Sequence, residues 1–222
     1  MTARGETFRV PSPAGCLEAV LQSPACAVPG WAAVVCHPHP RYGGTFLNKV
    51  VARSAEALLA VGLPVLRFNF RGVGASTGVH DEGRGEVEDL RAAAEHARQA
   101  TGAARLVLAG YSFGAWVGLR AMPSVEGARF FLAVGTPVAV YDFGFLRGQA
   151  FPAGFIQGDR DEFGDPEAVR ELVRDAGSLR SLEIVPDADH AFTGKLTQLQ
   201  AAVQRLAGRP IDPGPSAGGE SA

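Results

Sequence analysis

Short, almost wholly apolar runs recur along this chain: Trp31–Cys36, Pro64–Phe70, Arg105–Ala109, Arg129–Val134, Gly154–Gln157 and Ser181–Val185. Each is four to seven residues long and is bounded by turn formers. Continuous rather than alternating hydrophobicity over that length is the pattern of strands buried on both faces. The stretches between them carry helical spacing instead. Leu47, Val51, Ala55 and Leu58 share one helical face, and that segment stops at Gly62 and Pro64. Val87, Leu90, Ala94 and Ala97 mark a second helix, with Glu86, Glu88 and Asp89 in its first turn. A third helix follows Ser112. For a fourth, Asp165 supplies the cap, Pro166 takes the first position and Gly177 follows the last turn, with Val169, Leu172, Val173 and Ala176 inward. A last helix presents Leu196, Leu199, Val203 and Leu206 and is expected to end at Gly208.

Strand and helix alternating in this way call for βαβ crossovers and a mostly parallel sheet of about eight strands, with helices on both faces. Two earlier strands, near Glu6–Val10 and Cys16–Leu21, flank a Pro-Ala-Gly turn and should form an antiparallel hairpin at one edge. The expected organisation is one domain over residues 1–208, followed by a Pro/Gly/Ser-rich tail over residues 209–222 expected to be disordered.

Charge narrows the partners. Lys plus Arg total 21 against 23 for Asp plus Glu, and neither sign is clustered, so nothing favours nucleic acid or an anionic membrane. The apolar region around Phe130–Tyr141 is broken by Gly135 and Pro137 and falls short of the roughly 18–20 residues a membrane span requires. The start of the chain lacks a signal-peptide apolar core. Cys16, Cys26 and Cys36, an odd and sparse set, fit a reducing compartment. A soluble, cytoplasmic protein is expected.

The most informative segment is Arg105-Leu-Val-Leu-Ala-Gly110-Tyr111-Ser112-Phe113-Gly114-Ala115-Trp116. It places G-x-S-x-G after a buried strand and before a helix, the setting of a nucleophile elbow. Such a turn strains the Ser backbone, and a Cβ at Gly110 or Gly114 would collide with its neighbours. Ser112 is thereby lifted onto a helix N-terminus, where amides can stabilise an oxyanion.

With this motif the chain resembles the α/β-hydrolase superfamily over nearly its whole length. The resemblance extends to Phe70-Arg71-Gly72-Val73-Gly74-Ala75-Ser76-Thr77-Gly78 and to Cys36-His37-Pro38-His39-Pro40-Arg41-Tyr42-Gly43-Gly44. The latter is similar to the C-H-P-H-P-x-x-G-G segment of small, lid-less serine hydrolases. The resemblance implies the α/β-hydrolase fold without a lid domain, a triad in the chain order Ser, Asp, His, and no cofactor.

A Ser hydroxyl needs a base at neutral pH. Of His37, His39, His80, His96 and His190, only His190 follows the last strand, in a loop opening on the side of the elbow. His96 sits in a helical pattern, and His80 lies in a polar loop that reaches the site only by folding back. For the acid, Asp159 and Asp161 compete in Gly158-Asp-Arg-Asp161. The family's G-D-x-D pattern selects Asp161 and leaves Asp159 to bond loop amides. Asp187 and Asp189 read as turn carboxylates. One oxyanion donor is the Phe113 N–H. The resemblance puts the second after the Trp31–Cys36 strand, where Pro38 and Pro40 have no N–H to give, so His39 is the candidate, with Arg41 or Tyr42 in reserve. His37 reads as a loop anchor.

His37-x-His39 could suggest zinc, but the Asp-His that completes a metallohydrolase motif is replaced by Arg41-Tyr42, so no metal is expected. Gly72-x-Gly74-x-x-x-Gly78 has the wrong spacing for a dinucleotide fingerprint. The interval Pro137–Pro152 is too short for a helical cap, which implies an open, shallow site for a small acyl substrate with a short chain. Tyr42 and Phe143 are the candidate substrate contacts. The function expected is carboxylesterase-like ester hydrolysis through an acyl-enzyme. Thioester, amide or peptide hydrolysis with the same triad is the alternative, and a non-catalytic binding protein the third.

Overall fold

The computed structural model describes residues 6–174 and 179–211. Its strands are β1 (Thr7–Ser12), β2 (Gly15–Gln22), β3 (Trp31–Cys36), β4 (Val65–Phe68), β5 (Arg105–Tyr111), β6 (Ala128–Val134), β7 (Ala153–Gly158) and β8 (Arg180–Val185). Five α-helices accompany them among the described residues: α1 (Lys49–Ala60), α2 (Arg84–Thr101), α3 (Phe113–Ala121), α4 (Pro166–Arg174) and α5 (Leu196–Ile211). The eight strands form one sheet in the order β1-β2-β4-β3-β5-β6-β7-β8. From β4 to β8 every neighbouring pair is parallel, while the β1–β2 hairpin joins β4 antiparallel at one edge.

Period-two alternation distributes the strand side chains between two cores. Ala32, Val34 and Cys36 of β3 pack on the side of α2 and α3, whereas Trp31, Ala33 and Val35 pack toward α1 and α5. In β5, Leu106 and Leu108 face α2 and α3, and Val107, Ala109 and Tyr111 face the other helices. Both faces being covered is why these runs read as continuous hydrophobicity. The strand order reverses around β3 and β5, so the crevice beyond their carboxyl ends is the place where an open α/β sheet accommodates a ligand.

Some expectations shift. Leu47 is exposed and precedes the helix, because the Asn48 side chain accepts from the Val50 N–H and starts α1 there. Leu196 is only partly buried, and α5 does not stop at Gly208. It runs on to Ile211 with Pro210 in its last turn, three residues into the segment expected to be tail. Burial of Leu206 and Ala207 against the sheet holds this turn in the helix despite the weak propensities that follow. The expected inward Ala176, the Gly177 stop and the rest of the tail lie outside the described residues. No helix among the described residues is long and apolar enough to cross a membrane.

Candidate active site

Ser112 sits between the end of β5 and the start of α3 with φ 57° and ψ −118°. A side chain beyond Cα rarely adopts that conformation, and surrounding structure must hold it. Here the Ser112 N–H donates to the Val134 carbonyl, and its own carbonyl accepts from Ala115 and Trp116 at the head of α3. A Cβ on Gly110 would run into the backbone of Gly114. One on Gly114 would lie 2.6 Å from the His37 carbonyl oxygen and 2.8 Å from that of Cys36. The helix therefore reaches the end of β3 only because both positions lack a side chain. Gly110 meets the backbone of the elbow helix itself and Gly114 meets β3 and its loop, which refines the collision expected from sequence.

His190 comes from the loop after β8. Its Nε2 lies 2.9 Å from Ser112 Oγ, and its Nδ1 lies 2.9 Å from both Asp161 oxygens. An Nδ1–H donated to the carboxylate leaves the Nε2 lone pair facing the hydroxyl, the tautomer a base requires. Tyr111 donates its hydroxyl to the His190 carbonyl at 3.1 Å, and Phe163 places its ring edge-on to the imidazole. Asp161 is buried and accepts from the Phe163 and Gly164 amides and from Gln157 Nε2. Asp159, expected to bond loop amides, is exposed, and its carboxylate makes no such bond among the described residues; Asp161 itself turns the loop. Asp187 pairs with Arg160, and Asp189 accepts from the Thr193 N–H, which holds its carboxyl below the usual range.

A cavity of about 510 Å³ opens at Ser112. Pro38, His39, Tyr42 and Asn48 line it from the segment after β3, Pro137, Val140 and Tyr141 from that after β6, and Phe163 from that after β7. None of these carries a formal charge, and burial pushes the Tyr141 phenol up to about 12, so it stays protonated. Burial, with a smaller contribution from Asp161, also raises Tyr111. The Phe113 and His39 amides donate to no other group among the described residues, and His39 lines the cavity.

Tyr42 reaches the cavity as expected, but Phe143 does not. The Asp142 carboxylate accepts from the Gly144 N–H, a tight turn follows, and Phe143 is buried in the core beside a separate cavity of about 300 Å³. Val140 and Phe163 take the place assigned to it, and no motif in the sequence singles them out.

The remaining histidines are placed by the same contacts. His37 is fully buried, donates from Nδ1 to the Pro38 carbonyl at 2.6 Å and accepts the Phe70 N–H at Nε2. Burial lowers its pKa to about 4, so it is a neutral anchor between β3 and the loop after β4. His80 does fold back: its ring lies 4.8 Å from that of His39 and 5.5 Å from that of Phe113. Burial, and then His80, lower the pKa of His39. No group of three or more His, Cys, Asp or Glu among the described residues is arranged to hold a metal ion.

A sequence profile described as "Alpha/beta hydrolase domain" matches residues 43–207. The chain belongs to the α/β-hydrolase family. This hydrolase is 37% identical over 180 residues to an uncharacterized protein of Rickettsia prowazekii, covering 77% of its own length and 76% of the relative's. It is 36% identical to a Xanthomonas campestris α/β serine hydrolase without a lid, with TM-score 0.85 over 97% of this chain and 99% of that one. An α/β serine hydrolase homologue from Coxiella burnetii gives 37% identity and TM-score 0.84, covering 92% of this hydrolase and 97% of the other. The eight-stranded, mostly parallel sheet with helices on both faces is thus a lid-less α/β-hydrolase fold.

Proposed function

We propose that this hydrolase cleaves carboxylic esters through an acyl-enzyme on Ser112. The observation that carries the proposal is the unbroken hydrogen-bonded line from Ser112 Oγ through His190 to the buried Asp161, at 2.9 Å per step. His190 Nε2 takes the hydroxyl proton as Oγ attacks the acyl carbonyl, then returns it to the departing alcohol. Asp161 holds the imidazole tautomer and balances the imidazolium charge. Water then attacks the acyl-enzyme while His190 takes its proton, and His190 returns that proton to Ser112 Oγ as the acid leaves. The oxyanion is received by the Phe113 N–H at the head of α3 and by the His39 N–H, and losing one such donor costs on the order of 3 kcal/mol.

The cavity favours short acyl chains. It is open and its walls are side chains of loops rather than a cap, with Tyr42, Val140 and Phe163 exposed around it. The Cys36-His37-Pro38-His39-Pro40-x-x-Gly43-Gly44 segment groups the chain with the lid-less members that carry it, and its three free cysteines support a cytoplasmic location. Initial rates on matched acetate, butyrate and decanoate esters, with the corresponding thioester and amide, test the proposal. The expected order is acetate and butyrate above decanoate, and ester above thioester and amide. Thioester or amide turnover exceeding that of the ester would move the activity to the alternative class.

A further inference from the structure

Gln157, the next-to-last residue of β7, is fully buried although its side chain is an amide. Its Oε1 accepts the Thr136 N–H at 2.7 Å, and its Nε2 donates to the Gly164 carbonyl at 2.9 Å and to Asp161 Oδ2 at 2.7 Å. The two backbone partners fix which end of the amide is which: an N–H must meet the oxygen, and a carbonyl must meet the nitrogen. One remaining N–H is thereby aimed at Asp161 Oδ2. The Asp161 Oδ1 is held separately by the Phe163 and Gly164 amides. The carboxylate cannot rotate without breaking a bond at each end.

We infer that Gln157 is a positioning residue that clamps the Asp161 carboxylate against His190 Nδ1. This rests on the catalytic reading of Ser112, His190 and Asp161. Thr136 lies two residues beyond β6 and Gln157 belongs to β7, so the amide also ties the segment leaving β6 to the end of the strand that carries the acid loop. A positively charged imidazole forms and disappears in each half-reaction, and a carboxylate free to turn would follow it with its oxygens. Held at both oxygens, it presents the same geometry to neutral and protonated His190, which is preorganisation of the kind that lowers barriers.

Two substitutions separate this role from simple packing. Gln157→Met keeps the length and removes all three bonds; kcat should fall at least 10-fold with KM within threefold of wild type. Gln157→Glu replaces the donor at Oδ2 with a second carboxyl, which on ionising adds a negative charge beside His190. Added negative charge favours the imidazolium, so the acid limb of the kcat/KM profile should move to higher pH. Should either variant fail to fold, the wild-type protein still decides by NMR: the Gln157 side-chain amide protons should lie downfield and move as His190 titrates. This readout needs no turnover, so it tests the clamp even if Ser112 proves not to be the nucleophile. Folded variants with wild-type kcat and an unmoved acid limb, or amide resonances at free-glutamine positions and insensitive to His190, overturn the inference.

Discussion

Asp161→Asn is the substitution for which the structure allows the most detailed expectation. At Oδ1 two backbone N–H groups point inward, from Phe163 and Gly164, so an amide NH₂ placed there would meet donors only. The Asn oxygen must therefore take Oδ1, leaving the NH₂ at Oδ2, where Gln157 Nε2 at 2.7 Å is a donor in the wild type, as is His190 Nδ1, which lies 2.9 Å from Oδ1 and Oδ2 alike. His190 can yield by moving its proton to Nε2, after which Nδ1 accepts from the Asn. That tautomer aims an N–H at Ser112 and has no lone pair to receive its proton. A wrong tautomer in a triad costs about 10⁴ in kcat, or roughly 5 kcal/mol of barrier. Gln157 cannot reverse, because Thr136 and Gly164 hold it, so one buried donor is left unpaired at about 1–3 kcal/mol of stability. At this chain length that lowers Tm by a few degrees or more. Steady-state kinetics on an acetate ester, with a thermal melt beside it, check both numbers. A loss of less than 10-fold in kcat with an unchanged melt would refute the reasoning about donors around the carboxylate.

Three further outcomes follow from the contacts described. His37 has its pKa lowered by burial from 6.5 to about 4, so the unfolded chain binds the extra proton first; this stability is complete above about pH 6.5 and is lost as pH falls toward 4, by about 3 kcal/mol. Urea midpoints at pH 7 and pH 4.5 should differ more for wild type than for His37→Gln, and equal differences would contradict it. Arg71 clamps the fully buried Asp89 through its backbone N–H, Nε and Nη2 at 2.8–3.0 Å, so Arg71→Met strands a buried carboxylate and should cost about 3–5 kcal/mol, read as a Tm drop on the order of 10 °C; a drop under 2 °C would count against the pair. Gly114→Ala places a methyl 2.6 Å from the His37 carbonyl oxygen, so it should cost about 1–3 kcal/mol and lower kcat by moving the Phe113 amide; unchanged melting and kcat would show that α3 is free to shift.

The strand positions and the line from Ser112 to His190 were legible because both write themselves as local patterns: apolar runs, and a motif fixed by its turn. His190 needed only its place after the last strand. Asp161 was selected over Asp159 by a family pattern, and its bonds to the Phe163 and Gly164 amides show why it, and not Asp159, turns the loop. What could not be read are contacts made between loops. Gln157 looks like one more residue of a buried strand until Thr136, Asp161 and Gly164 are brought round it. Phe143 and Phe163 are equally aromatic in sequence; only the Asp142–Gly144 turn sends the first into the core, and only the Asp161 loop brings the second against His190. His80 reaches His39 and Phe113 because buried Glu86 accepts the Asp81 and Gly83 amides and folds that loop back. From the sequence Glu86 was only an acidic residue in a helix's first turn.

Treating the full chain with a fluorophosphonate and weighing it intact, beside Ser112→Ala, puts the central chemistry to its plainest trial. One phosphonyl group should add to the wild-type protein, map by peptide fragmentation to Ser112, and be absent from the variant. Equal labelling of both, or no labelling of folded wild type, would mean that Ser112 is not the nucleophile proposed for this hydrolase.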